Sequence, residues 1–187
     1  MAQNDKKVIK SGDLPRPGSV IYNFHFRDEF SKKKKLRRWQ KLNKYFMIPL
    51  YRLGVLPLLG FGWAILILTT IGWKDGKKRR TPLEYRRFED IITIFSAMGE
   101  KSGWVKNLHA NPEDVVVRHG FHRYKCHVEF ITEKNQKISL MKCYVSEFGK
   151  SAKILFGWNP KEDNQEEIDF SKLLGLLSII QLHRNPK

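Results

Sequence analysis

From Leu53 to Trp73 the chain runs for 21 residues without a charged side chain. A stretch of about 20 apolar residues can cross a bilayer as one helix, so this run decides between a membrane span and a buried core segment. Gly54, Pro57, Gly60 and Gly62 interrupt it. Such breakers divide the run into a short helical piece and the strand-like "WAILILTT". Basic residues flank both ends, so loop charge gives a span no orientation. The breakers therefore favour a buried strand.

The adjoining segment is opposite in character. In "LTTIGWKDGKKRRTPLEY", Leu68 to Tyr85, the cations Lys74, Lys77, Lys78, Arg79 and Arg80 crowd around Gly72 and Gly76. Glycines let backbone turn tightly and bring amide hydrogens close to an anion, while Lys and Arg add charge and directional donors. This is a phosphate cradle in outline, although the same composition also describes a solvated basic loop. The nucleotide P-loop spacing is absent, and no G-x-G-x-x-G follows a strand. The whole chain carries +16 from 35 Lys and Arg against 19 Asp and Glu, a field that favours phosphate groups, acidic lipid or nucleic acid. With 187 residues, 41% of them hydrophobic, it can build one core domain with an appendage.

The appendage is N-terminal. Residues 1–29 carry charge and proline without the apolar core of a signal peptide, and they read as a flexible leader. Residues 30–52 read as a basic amphipathic helix: Leu36, Trp39, Leu42, Phe46, Leu50 and Leu53 recur at helical steps among Lys32 to Lys35, Arg37, Arg38, Lys41 and Lys44. Pro49, without an amide hydrogen, should end or kink this helix near Met47. The apolar stripe packs on the domain or lies in an anionic membrane interface, and the two are compatible if only the first half of the helix is exposed. Nucleic acid is disfavoured, because only Trp39 interleaves the cations and no nucleic-acid motif is present. Cys126 and Cys143 stand in no metal or redox spacing, which fits a reducing, cytoplasmic compartment, and the basic helix would add peripheral attachment at the inner face of the membrane.

Residues 53–187 read as the core domain. "DIITIFSA", "DVVVRHG" and "FHRYKCHVEFIT" are short, β-branched or aromatic strands, the last two joined by a turn at His119 and Gly120. Thr132 is the expected N-cap of a helix through Met141 and Phe148, and "KSAKILFG" a second. "NPKEDNQEEID" reads as a loop and "LLGLLSIIQLH" as a closing strand. Five or more strands with helices inserted late suggest an α+β domain with a small barrel.

A second constellation, "FSAMGEKSGWVKNLHANP", ends a strand in small residues and continues into a helix. Ser96, Ala97, Met98 and Gly99 would let a flat ring lie against backbone, walled by Trp104 and followed by Asn107. The alternative is a plain strand-to-helix connection with Trp104 in the core. No nucleophile stands beside a base, and the six histidines show no metal-ligand spacing.

Taken in order, "YRLG", "LTTIGWKDGKKRRTPLEY" and "GEKSGWVKNLHANP" resemble the signature blocks of the deazaflavin (F420)-dependent nitroreductase and quinone reductase family. The resemblance runs from about Tyr45 onward. It implies a split β-barrel of the flavin-reductase-like kind, with hydride passing from reduced coenzyme F420 to an organic acceptor such as a quinone or nitro compound. By position it implies phosphate binding at Lys74, Gly76 and Arg79, with the ring beside Ser96, Ala97, Met98, Gly99, Trp104 and Asn107. Ser96 would be the catalytic residue, hydrogen-bonding near the ring or acceptor, and Trp104 and Trp158 would line the pocket. Trp73 stands where the family usually has Arg. FMN is the alternative cofactor, its single phosphate using the same cations, and a non-enzymatic basic protein bound to membrane through Lys32 to Lys44 is the other alternative; a homodimer is compatible with the fold.

Overall fold

The computed structural model describes residues 14–27, 29–60, 64–159, 161, 163–164 and 168–185. Its centre is a seven-stranded antiparallel sheet of β1 (Ile65–Ile71), β2 (Lys78–Glu84), β3 (Arg86–Phe88), β4 (Ile91–Ser96), β5 (Val116–His119), β6 (His122–Ile131) and β7 (Ser178–Arg184). The order across the sheet is β2-β1-β5-β6-β7-β4-β3. β2 and β3 therefore occupy opposite edges, yet Glu84 ends one and Arg86 begins the other. Only Tyr85 separates them. Consecutive Cα atoms lie ~3.8 Å apart, so the sheet must curl until its edges meet. The result is a split β-barrel, the fold class that the sequence implied.

Strand periodicity sorts the residues into layers. Leu66, Leu68, Ile92, Ile94, Val117, Val128, Ile180 and Leu182 point into the barrel, where Val105 and Leu108 of α5 (Gly103–Ala110) join them. Their neighbours face outward: Ile179 and Phe95 pack against Met141, Tyr144 and Val145 of α6 (Lys134–Glu147) and Ala152 and Phe156 of α7 (Gly149–Phe156). On the other side Ile67 is covered by Tyr51 and Leu56. β1 is thus buried on both faces, which is why its sequence is uncharged and unbroken by polar alternation. Among the described residues no helix is long and apolar enough to cross a membrane.

The N-terminal region differs from expectation at its leader. Residues 1–13 of the expected flexible leader lie outside the described residues, but from Leu14 the chain is packed into the outer core. Ser19 caps α1 (Val20–Phe26), Leu14 and Ile21 are buried, and the Arg16 guanidinium meets the Asp163 carboxylate through two contacts of 2.8 and 2.5 Å. Next, α2 (Glu29–Leu42) passes through a π-helical turn, Asn43–Met47, into α3 (Ile48–Arg52). The shift of ladder falls where Pro49 removes a donor. Part of the apolar stripe of this helix does not pack on the barrel, Trp39 being 57% exposed, Phe46 61% and Leu42 43%, whereas Leu50 joins Met47 and Ile48 against the cluster of Tyr51, Leu56 and Ile67. A short α4 (Val55–Leu58) leads to β1.

Smaller departures are local. Glu133, not Thr132, caps α6, its carboxylate accepting from the Gln136 amide at 2.7 Å. The basic turn ends sooner than its composition suggests, because Lys78, Arg79 and Arg80 already belong to β2. That strand pairs with β1 from Ile71↔Lys78 to Ile65↔Glu84. Pro82 is tolerated there because β2 is an edge strand.

Candidate cofactor site

β1 leaves the barrel at Ile71 and returns as β2 through a six-residue turn. The Gly72 amide donates to the Lys77 carbonyl at 2.8 Å and the Gly76 amide to the Gly72 carbonyl at 2.9 Å. Gly76 has a φ of +64°, which calls for glycine, and a Cβ on Gly72 would stand 2.5 Å from Asp75 Oδ1 and displace that carboxylate. Asp75 organises the turn. Its Oδ1 accepts from the Lys77 amide at 3.2 Å and its Oδ2 from Arg79 Nη2 at 2.5 Å.

Facing this turn is the connection from β4 to α5. The Ser96 hydroxyl donates to the Gly99 carbonyl at 3.1 Å and so accepts from Ser102, 2.7 Å away. Asn107, on α5, is 6% exposed. Its Nδ2 donates to Thr70 Oγ1 at 2.9 Å, and its Oδ1 accepts from the Trp73 amide at 3.1 Å. One side chain thereby ties helix, strand end and basic turn together. The Trp73 ring lies half exposed between two ammonium groups, Lys74 Nζ at 4.8 Å and Lys106 Nζ at 5.5 Å from its centroid. Such stacking is favourable because the ring face is electron-rich.

Between the two walls opens a cleft of about 1230 Å³, closed on its third side by Leu36, Trp39, Gln40, Asn43 and Lys44 from the N-terminal helices. Among the described residues Lys44, Arg52, Lys74, Lys78, Arg79, Arg80 and Lys101 line it, against the single carboxylate of Asp75. Seven cations to one acid in a concave site focus a positive potential. Met98, Trp73, Trp104, Trp39 and Ile48 supply flat and apolar surface. The site can hold a long anion with a flat aromatic head. Among the described residues no group of His, Cys, Asp or Glu is placed to hold a metal ion.

Of the residues chosen from sequence, Lys74, Arg79, Met98, Trp104 and Asn107 line this cleft. Gly76 shapes the turn without lining it. Ser96, Ala97 and Gly99 lie behind the wall. Ser96 is 2% exposed with its hydroxyl engaged, Ala97 offers its carbonyl to His25 Nε2 at 2.9 Å, and Gly99 is buried against Leu176. Ser96 falls on the inward face of β4 with Ile92 and Ile94, a periodicity legible in "DIITIFSA". Ser102 takes the place in the cleft that Ser96 was expected to fill. Trp158 is also displaced from expectation: it is buried in the outer core among Leu14, Tyr144 and Phe156. Trp73, Ser102 and Lys101, and the helical wall with Lys44 and Arg52, were not anticipated. One signal pointed to the cations: no acidic residue occurs from Phe30 to Lys74.

The family model for F420H(2)-dependent quinone reductase matches residues 56–149, half of the chain and both facing walls of the cleft. The chain belongs to the F420H(2)-dependent quinone reductase family. Among solved structures, an F420-H2 dependent reductase (FDR-A) is 21% identical, with a TM-score of 0.44 over 64% of this chain and 94% of the other. A pyridoxamine 5'-phosphate oxidase-like protein from Listeria innocua is 11% identical, with a TM-score of 0.45 over 69% and 91%. HutZ, the heme storage protein of Vibrio cholerae, is 14% identical, with a TM-score of 0.43 over 70% and 90%. No curated protein matches. Membership of the quinone reductase family rests on the sequence match, and the barrel on the strand order.

Proposed function

We propose that the chain is an oxidoreductase that binds reduced coenzyme F420 in this cleft and serves an organic acceptor such as a quinone or nitro compound. The observation that carries the reading is the ratio of seven lining cations to one carboxylate, in a cleft with aromatic walls, in a member of this family. The donors fit a deazaflavin, whose tail is anionic and whose head is flat. When bound, the reduced deazaflavin supplies the hydride. Lys74 and Arg79 anchor the tail by charge-assisted hydrogen bonds, with Gly76 holding the turn open. Met98 and Trp104 wall the ring. The Ser102 hydroxyl, whose hydrogen is donated to Ser96, offers a lone pair to a donor on the ring, and Ser96, itself donating to Gly99, fixes that orientation. Asn107 keeps Trp73 and the turn in register with α5. Trp39 and Leu36 exclude water from the acceptor side.

Titration of the purified protein with F420 and with FMN, read by cofactor fluorescence, tests this. Saturable binding of F420 in preference to FMN is the expected result. Preference for FMN would move the chain to the flavin alternative, whose single phosphate the same cations can hold.

A second reading concerns location. Exposure of Trp39, Leu42 and Phe46 on a helix rich in Lys and Arg supports peripheral contact with an anionic membrane, where a lipid-soluble quinone resides. Sedimentation with anionic vesicles at low ionic strength, reversed by salt, is the expected behaviour. Indifference to such vesicles would remove this reading.

A further inference from the structure

Large apolar side chains project from a second place in the fold. Leu53, Leu58 and Leu59, at the ends of α3 and α4, are 76%, 77% and 68% exposed, and Phe121 at the tip of the β5–β6 hairpin is 63% exposed. These segments are distant in sequence but locked together. The Tyr51 hydroxyl donates to the Ile65 carbonyl at 2.9 Å and accepts from the Gly120 amide at 2.7 Å. The Phe121 ring approaches to 3.2 Å the point where a Cβ of Gly54 would stand, so the absence of that side chain makes room for the ring. Arg118 Nη2 donates to the Arg52 carbonyl at 3.4 Å, fastening strand β5 to the end of α3. The leucines and the phenylalanine are thus held outward on a braced platform, and exposed apolar patches of this kind mark interaction surfaces.

We infer that this platform, the α3–α4 turn with the β5–β6 hairpin tip, is the part of the molecule that seats in an anionic lipid surface. The inference rests on the peripheral-membrane reading but assigns the apolar contact to residues outside α2. Charge selects the occupant. No Asp or Glu occurs from Phe30 to Lys74 or from Val115 to Val128, and Arg52 and Arg123 stand exposed beside the apolar tips. A second copy of the chain would set this positive zone against itself, whereas an anionic bilayer neutralises it and takes up the leucines and phenylalanine. Arg52 and Leu53 also line the cleft. The platform therefore borders the mouth of the site, and an acceptor dissolved in the bilayer reaches it without crossing water.

The test uses the full chain with vesicles of phosphatidylglycerol and phosphatidylcholine, and of phosphatidylcholine alone. Leu58→Ser with Phe121→Ser forms one variant and Leu42→Ser with Phe46→Ser another. The platform pair should lower partitioning onto phosphatidylglycerol vesicles by about tenfold per residue, since each loses the burial of one apolar side chain, and F420 titration should be unchanged. Wild-type binding that the platform pair leaves intact overturns the inference while sparing the membrane reading. Failure of the wild type to bind any vesicle overturns both. A wild-type dimer in sedimentation velocity that the platform pair dissociates would show that a second copy is the occupant, and would overturn it too.

Discussion

Asn107 and Trp39 both line the same cleft from opposite sides, yet they are held very differently. Asn107 is 6% exposed, and both ends of its amide are hydrogen-bonded to β1 or to the turn after it. Trp39 is 57% exposed on a helix that meets the barrel mainly through the π turn and α3 beyond it. One wall is part of the core and fixes where a ligand can sit; the other leans over the opening and governs what can enter. The cations bridge the two, with Lys74, Lys78 and Arg79 on the fixed side and Lys44 on the helical side.

The strongest way to break this contrast is at the fixed cations. Lys74→Ala with Arg79→Ala should weaken F420 binding well over tenfold, because each charge-assisted hydrogen bond is worth about 1.5–3 kcal/mol. Native circular dichroism with unchanged affinity would remove both residues from the site. Next in size, Asn107→Leu should cost about 2 kcal/mol in a urea unfolding titration, since it orphans the Thr70 hydroxyl and the Trp73 amide. Trp39→Ala should stay within about 0.5 kcal/mol, as surface substitutions do. Equal losses at the two positions would erase the distinction between the walls.

A pH titration sharpens the picture at the barrel seam, where Arg87 of β3 donates to His119 of β5 at 3.3 Å. Burial, then the charges of Arg87, His122 and Arg184, hold His119 below the ordinary value of 6.5. The unfolded chain takes up that proton first as pH falls, so His119 contributes stability above about pH 6.5 that diminishes below it. His119→Gln should flatten this part of the stability profile; an unchanged slope would show that the seam is insensitive to this imidazole. The smallest effect belongs to Asp75→Asn. The substitution keeps the acceptor for the Lys77 amide and frees Arg79 from an exposed ion pair worth about 1 kcal/mol or less, so F420 affinity should rise by no more than about fivefold. A fall would mean that the pair positions Arg79 for the ligand.

How much of this was legible depends on whether the signal is local. β1 was readable because glycine and proline break the uncharged run just before it, and Leu66 and Leu68 alternate with Ile67 against a different cluster. β2 was not, since Lys-Lys-Arg-Arg-Thr-Pro has a loop's composition and takes its extended form from pairing with β1. The turn between β1 and β2 was legible in the crowding of cations around Gly72 and Gly76, and Lys74 stands on it at the edge of the cleft. Small residues at the end of β4 suggested room for a flat ring at Ser96, whereas the alternation with Ile92 and Ile94 turns its side chain inward. For α2, periodicity recovered the helix but not its neighbour, because an apolar stripe says which side would be buried and not what covers it. Leu14, Ile21 and the Arg16–Asp163 pair lay beyond any local reading: Asp163 is 147 residues from Arg16, and the cluster that buries Leu14 and Ile21 is otherwise built from Phe88 onward.

The position of β7 has a consequence for how the molecule comes into being. Residues 178–184 are the last of the seven strands to be made, yet they lie between β6 and β4, near the middle of the sheet. Until they leave the ribosome, β4 and β6 have no partner between them, and the link at Tyr85 joins edges of a sheet that is still in two pieces. Early helices and the β1–β2 and β5–β6 hairpins can form during synthesis, but the barrel itself must wait for its final strand. Such long-range pairing is slow, and the waiting halves present open strand edges to their surroundings. A nascent chain stalled before Ser178 should therefore be protease-sensitive and chaperone-bound, and one released past Arg184 should close as a unit.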